Sequence, residues 1–292
     1  MRHQMQCTRR FHRPVLTGMV AVLLISLGAC KMIVPVEPEE PIYDNPQDPQ
    51  GTGYTPPETS ITSGPSDGST VSTSQVTFEW DGNKPDMLFR IRLDGVNWSP
   101  WVDENIYLWA FLDEAEYTFE VQSGYDPGQG NDPTLIDETP ASVTFTVDAV
   151  DGPSMMFYPR LTTAASGSQF NLFLIAEEVS DLMLVSAEIA FDPAHLSVIS
   201  VTDGNFMTST GGSIASYHDW NNTTGRIYLN LATATGSPPG VSGTGNLVTI
   251  RFGVKSNMES DVTFVAANTV IRNTSNQTMT IQRLIRGKVR QP

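Results

Sequence analysis

The chain is expected to be all-β, with two β-sandwiches in tandem. Two observations carry this reading. From residue 58 onward, short runs of β-branched and aromatic residues recur between clusters of Gly, Pro, Asn and Asp, the spacing of antiparallel sandwiches. Within the runs, apolar and polar residues alternate, as in Val143, Phe145 and Val147 against Ser142, Thr144 and Thr146. A period of two with one apolar face marks a half-buried strand. No helical period of useful length competes with it, and the two halves share no internal repeat.

Residues 1–29 read as a targeting segment. Arg2, Arg9, Arg10 and Arg13 form a basic start without an acid, and Val15 to Leu27 is a predominantly apolar run. A membrane-spanning helix needs about 20 apolar residues, so this run reads as a signal sequence rather than a span. It ends in Leu27-Gly28-Ala29-Cys30, which resembles the lipobox of bacterial lipoproteins. That resemblance implies cleavage before Cys30 and acylation of its thiol, hence a lipid-anchored, extracytoplasmic protein of the bacterial cell envelope, at the outer membrane or cell surface. The only other cysteine, Cys7, lies in the signal, so the exported part must be held by apolar burial without a disulfide.

Residues 30–57 hold the acylated Cys and a linker. Seven prolines and five acids between residues 31 and 57 favour an extended, semi-rigid stalk. Beyond it the charge divides unevenly. Residues 58–148 carry seventeen Asp and Glu against Lys84, Arg90 and Arg92, whereas residues 151–292 are nearly balanced. The acidity argues against nucleic acid as a partner, and against a membrane reached other than through the lipid anchor, since both surfaces require basic patches.

Residues 58–149 form the first predicted sandwich, with strands at 75–80, 88–95, 116–123 and 142–148 and turns at Asp94-Gly95 and Asp126-Pro127-Gly128. The order of "PETSITSGPSDGSTVSTSQVTFEW", "FRIRLDGVNWSPW", "EYTFEVQSGYDPGQGNDPT" and "PASVTFTVD" resembles bacterial immunoglobulin-like modules. In that reading Trp80, Trp98 and Tyr117 are core or edge aromatics. Trp98, Trp101 and Trp109 have a second reading as a platform for stacking sugar rings, set against ordinary core or rim packing. Asp126, Asn131 and Asp132 are weak metal candidates for calcium, which takes 6–8 oxygen ligands, or simply the residues of a turn. No cofactor is expected beyond calcium in such loops or on a partner.

Residues 150–292 form the second predicted sandwich, with strands at 170–178, 184–192, 196–204, 212–220, 226–234, 246–254 and 261–273. In the second of these, Val185, Ala187, Ile189 and Phe191 make an inner face. Asp192-Pro193 then ends the pairing, because Pro193 lacks a donor and biases Asp192 away from helix, while the Asp192 carboxylate organises the corner. Leu196, Val198 and Ile199 return apolar side chains to the core. The stretch needs no nucleophile or metal to explain it.

The residues "SGSQFNLFLIAEEVSDLMLVSAEIAFDPAHLSVISVTDGNF", "GRIYLNLA" and "GVSGTGNLVTIRFGV" together closely resemble the cohesin domain. The resemblance implies a jelly-roll sandwich of about nine strands that acts as receptor for dockerin, a small calcium-loaded protein partner. Carried over, the partner face is the outward side of residues 184–191, 215–220, 226–232 and 247–253, giving Ser186, Glu188, Ala190, His218, Tyr228, Asn230, Thr249 and Arg251. One departure stands out: the best-known cohesins carry Asn and Asp on the first of these strands, where this chain has Leu184 and Ser186. The chain has no dockerin-like calcium loop of its own.

Catalysis is not expected. His195 reads as a solvated turn residue, and His218 beside Asp219 lacks a recognisable nucleophile or third ligand. The Gly-rich run at 240–245 opens a strand rather than a helix, which argues against a phosphate loop. The expected function is non-catalytic docking of a protein partner, such as a dockerin-bearing enzyme of polysaccharide degradation. The alternatives are polysaccharide binding, through the sandwich face or the tryptophans, and a structural spacer in the envelope.

Overall fold

The computed structural model describes residues 49–126, 133–234 and 240–292. Cys30, residues 1–48, Asn131 and Asp132 lie outside the described residues. Those described belong to one compact unit, Asp44–Pro292, and they build two sandwiches.

The first sandwich holds β1 (Thr59–Ser63), β2 (Ser69–Val71), β3 (Gln75–Gly82), β4 (Leu88–Leu93), β5 (Ile106–Ala110), β6 (Ala115–Tyr125), β7 (Leu135–Ile136) and β8 (Ala141–Val147). One sheet has the order β1-β3-β5; the other runs β2-β8-β6-β4, with β7 paired to β6. The period-two pattern places Val76, Phe78 and Trp80 of β3 inward, against Phe119 and Val121 of β6 and Val143, Phe145 and Val147 of β8. The rings of Phe78 and Phe119 stack with centroids 3.8 Å apart, so the two sheets meet at that pair. Tyr117 is half-buried, and its hydroxyl accepts from the Asp113 N–H at 2.9 Å. Burial, helped by the nearby Asp113 charge, pushes its pKa up to about 12. β1 and β5 are absent from the predicted set. Both lie at the edges of their sheet, where "TSITS" and "IYLWA" need not alternate to bury one face.

The second sandwich holds β9 (Ser154–Tyr158), β10 (Leu161–Thr163), β11 (Gln169–Phe191), β12 (Leu196–Asp203), β13 (Ile214–Asn221), β14 (Arg226–Thr233), β15 (Val241–Val254), β16 (Ser260–Phe264), β17 (Val270–Asn273), β18 (Thr278–Met279), β19 (Leu284–Ile285) and β20 (Gly287–Arg290). The predicted strands at 170–178 and 184–192 are one long strand, β11, that serves both sheets. Its first half pairs with β15 and β9. Its second half pairs with β14, β16 and β17. The changeover falls at Val179-Ser180-Asp181-Leu182, where the register against β15 shifts and Glu178 and Asp181 take φ of 47° and 58°. Asp181 is held there: its N–H donates to Ser242 Oγ at 2.9 Å, and Thr274 Oγ1 donates to its carboxylate at 2.6 Å. The predicted strand at 261–273 is in fact two, β16 and β17, parted by a 3-10 turn at Ala266–Asn268.

Between the sheets lies a continuous apolar core that includes Leu172, Leu174, Val185, Ile189, Leu229, Leu231, Ile250 and Phe252, all buried. Each such side chain contributes roughly 1.5–3 kcal/mol on burial, which is how a sandwich of this size stands without a disulfide.

The Asp192-Pro193 corner forms as expected and Leu196 and Val198 reach the core, but Ile199 is 41% exposed, because the register of β12 against β15 shifts between Val198 and Ser200. Asp192 Oδ1 accepts from the Ala194 N–H at 2.8 Å, and its carbonyl accepts from Leu196 at 2.9 Å. Gly225 closes against the same corner with φ of 67°; a Cβ there would meet the Phe191 carbonyl oxygen at 2.1 Å. His195 is not the solvated turn residue expected. Its Nδ1 lies 2.5 Å from Ser256 Oγ and its side chain is only 17% exposed. The fold brings the loop after β15 against the corner, a contact across sixty-one residues that local sequence does not show.

Candidate partner-binding face

β11, β14 and β13 lie side by side, so the second half of β11 and these two neighbours form one continuous outward surface. The register sets its rows. Ser186 stands opposite Asn230, Glu188 opposite Tyr228 and Ala190 opposite Arg226. Asn230 in turn stands opposite Tyr217, and Tyr228 opposite Asp219. Five of the predicted residues, Ser186, Glu188, Ala190, Tyr228 and Asn230, therefore share one face.

The other three do not join them. Thr249 and Arg251 lie on β15, which pairs with β12 and with the first half of β11. They face outward, but from the opposite sheet. Period two settles which way a side chain points, not which sheet its strand enters. His218 is on the correct strand but the wrong side. It pairs with Leu229, which is buried in the core, and paired residues share a face. Its side chain is 14% exposed, and its Nε2 lies 2.8 Å from Asp203 Oδ1 on β12. The sequence did carry a signal: Ile214 and Trp220, which pack against the core, share the parity of His218. By the same parity, Tyr217 and Asp219 are the outward residues of β13.

The face is flat and mixed in character. Tyr217 and Tyr228 are 57% and 41% exposed. Tyr217 lines a shallow depression of about 270 Å³ whose walls also include Leu184, Ala215 and Asn230. Glu188 anchors the centre: one carboxylate oxygen lies 3.1 Å from Arg226 Nε, and the other accepts from Asn268 Nδ2 at 2.5 Å. With its carboxylate committed on both sides, the middle of the surface is preorganised. Exposed tyrosines on a sheet face with a small apolar depression are features enriched at protein interfaces.

The histidine beneath this face does not assemble a nucleophilic relay. Ser216 Oγ donates to Asp203 Oδ2 at 2.8 Å, so the carboxylate stands between the hydroxyl and the imidazole, where an activated serine would need the imidazole itself. Among the described residues no group of three or more His, Cys, Asp or Glu is placed to hold a metal ion.

Comparison with known families bears on the second sandwich. Residues 159–290 match the family model of the cohesin domain. The match leaves the first sandwich unassigned and takes in every strand of the candidate face. Solved cohesins align with this part of the chain. The OlpA cohesin of a type I cohesin–dockerin complex from Clostridium thermocellum is 17% identical, with a TM-score of 0.41, and the alignment covers 48% of this chain and 98% of that one. A non-cellulosomal cohesin from Archaeoglobus fulgidus is 15% identical, with a TM-score of 0.37, over 48% of this chain and 91% of that one. A type II cohesin from the cellulosome of Acetivibrio cellulolyticus is 15% identical, with a TM-score of 0.37, over 46% and 95%. No curated protein matches the chain.

The tryptophans of the first sandwich are engaged internally. The Arg90 guanidinium sits 4.9 Å from the Trp98 ring and 4.6 Å from the Trp101 ring, and that of Arg92 lies 4.3 Å from Trp98. Trp109 meets Phe119 edge-on at 6.3 Å. The arginine contacts form a cation–π ladder, and the Trp109 contact is aromatic packing.

Proposed function

We propose that the cohesin domain docks a dockerin-type protein partner on the face formed by β13, β14 and the second half of β11, without chemistry. The observation that carries this is the pair Tyr217 and Tyr228, exposed on a preorganised sheet face of a domain that matches the cohesin model. The residues that make the contact are Ser186, Ala190, Tyr217, Tyr228 and Asn230, with Glu188 and Arg226 holding the centre. Leu184 borders the depression where the best-known cohesins carry a polar residue, so the partner presents an apolar side chain at that point. The first sandwich, immunoglobulin-like in its sequence, acts as a spacer between this domain and the envelope. The chain is held there by lipid on Cys30, at the end of the Pro-rich stalk, and the partner carries an enzyme of polysaccharide degradation.

Surface-plasmon resonance of the chain against each dockerin encoded in the host genome tests the docking. Saturable binding to one of them, lost on Tyr217→Ala together with Tyr228→Ala, supports it; absence of binding to every dockerin overturns it. Radiolabelled palmitate entering the mature protein, and failing to enter Cys30→Ser, tests the anchor.

A further inference from the structure

A second site lies where the two sandwiches meet. Arg160 joins them. Its backbone N–H donates to Asp113 Oδ1 at 2.7 Å, and its Nη2 donates to Glu114 Oε1 at 3.0 Å. Glu114 also accepts from the Ala149 N–H at 2.8 Å. The Arg160 side chain is 5% exposed, yet its Nε–H has no partner. A buried donor left unpaired costs free energy unless something else satisfies it.

Arg160 lines a groove of about 900 Å³. Arg283 and Arg286 line it too, and none of its lining residues is acidic. Arg286 is tied to Asp261 at 3.0 Å, but the exposed Arg283 guanidinium faces no carboxylate among the described residues. The first sandwich contributes Ser72, Thr73, Ser74 and Gln75 to the lining. Phe111 lies on the same wall, 39% exposed, with φ of 62°. A bulky residue at positive φ is strained, and here its ring lines a groove of mixed polar and apolar walls, with Lys288 Nζ 6.0 Å from the ring centre.

These features select a ligand chemistry. Arginine forks match planar carboxylates. Hydroxyl and amide side chains pair with sugar hydroxyls, and an exposed ring offers a flat apolar surface for a sugar face. The volume stands at the upper end of the usual range for ligand sites, about 300–1,000 Å³, which suits an oligomer. A nucleic acid would need a longer basic tract than three arginines in a chain of net charge −15. An acidic peptide would satisfy the arginines but bring no hydroxyls to Ser72 and Ser74. We infer that this groove binds a carboxylate-bearing oligosaccharide, a short uronate chain, independently of the cohesin face.

Isothermal titration of the intact mature chain tests this with three probes of similar length: oligogalacturonate, a neutral gluco-oligosaccharide and oligoglutamate. The expected result is saturable binding of the oligogalacturonate alone. Affinity should fall at least tenfold in Arg283→Ala, whose side chain makes no ion pair or hydrogen bond among the described residues, and in Phe111→Ser, with both variants keeping a cooperative thermal transition. Any of three results overturns the proposal: no binding of the uronate, equal binding of the neutral sugar or of oligoglutamate, or unchanged uronate affinity in a folded Arg283→Ala protein.

Discussion

His218 Nε2 lies 2.8 Å from Asp203 Oδ1, joining β13 at the edge of one sheet to β12 at the edge of the other. The contact closes one side of the second sandwich. Because it points inward, it belongs to stability rather than to docking. His218→Ala removes a largely buried ring from the inner side of β13, so it is expected to lower stability by about 1 kcal/mol and to leave partner affinity unchanged. Chemical denaturation and a binding isotherm on the same preparation separate the two effects.

Tyr217 and Tyr228 carry the opposite expectation. Exposed aromatics near the centre of an interface typically lose about 2 kcal/mol when truncated, or roughly thirtyfold in affinity. Tyr217→Ala and Tyr228→Ala should each show this loss with little change in melting temperature. Thr249→Ala and Arg251→Ala, on the opposite sheet, should bind as the unaltered chain does. A reversed pattern in the binding data would move the docking face to the sheet that contains β15.

Gly225 is the backbone position most intolerant of a side chain near the Asp192-Pro193 corner. Alanine there would sit at a φ of 67° with its Cβ 2.1 Å from the Phe191 carbonyl oxygen. Left-handed backbone alone costs a non-glycine residue about 1 kcal/mol, and the clash must also be relieved. Gly225→Ala should destabilise by about 2 kcal/mol or more, a drop of roughly 4–8 °C for a unit of this size, read by calorimetry.

The pH dependence of stability has a definite sign. Burial pushes the carboxyls of Asp113, Glu114 and Glu177 above their ordinary range. The folded state therefore holds these protons more tightly than the unfolded chain. The stability that follows is fully present below the ordinary carboxylate values and is lost as pH rises through the raised ones. A variant carrying Asp113→Asn, Glu114→Gln and Glu177→Gln lacks this dependence. The melting temperature of the unaltered chain relative to that variant should rise as pH falls from 7 to about 4. A melting temperature, taken relative to the variant, that stays constant or falls as pH falls would contradict the assignment.

Much of the molecule was legible residue by residue. The inner faces of β3, β8, β11 and β15 follow from alternation, and the corner at Asp192-Pro193 follows from a missing donor and a carboxylate that caps the turn. Even the inward aim of His218 was present as parity with Ile214 and Trp220. The edge strands β1 and β5 were hidden because an edge needs no strict alternation. The ladder of Arg90 and Arg92 over Trp98 and Trp101 was hidden because its members come together through the loop after β4.

By itself, the sequence determined that the chain makes strands, which side of most of them is apolar, and where they must stop, because these depend on neighbours one to four residues apart. Only the tertiary structure decided which strands share a sheet. It put β15, with Thr249 and Arg251, on the far side from Tyr228. It also set Arg160 against Asp113 and Glu114 to close the groove between the sandwiches. Those choices rest on pairings between residues dozens of positions apart, whose register and burial are fixed only when the whole sandwich closes.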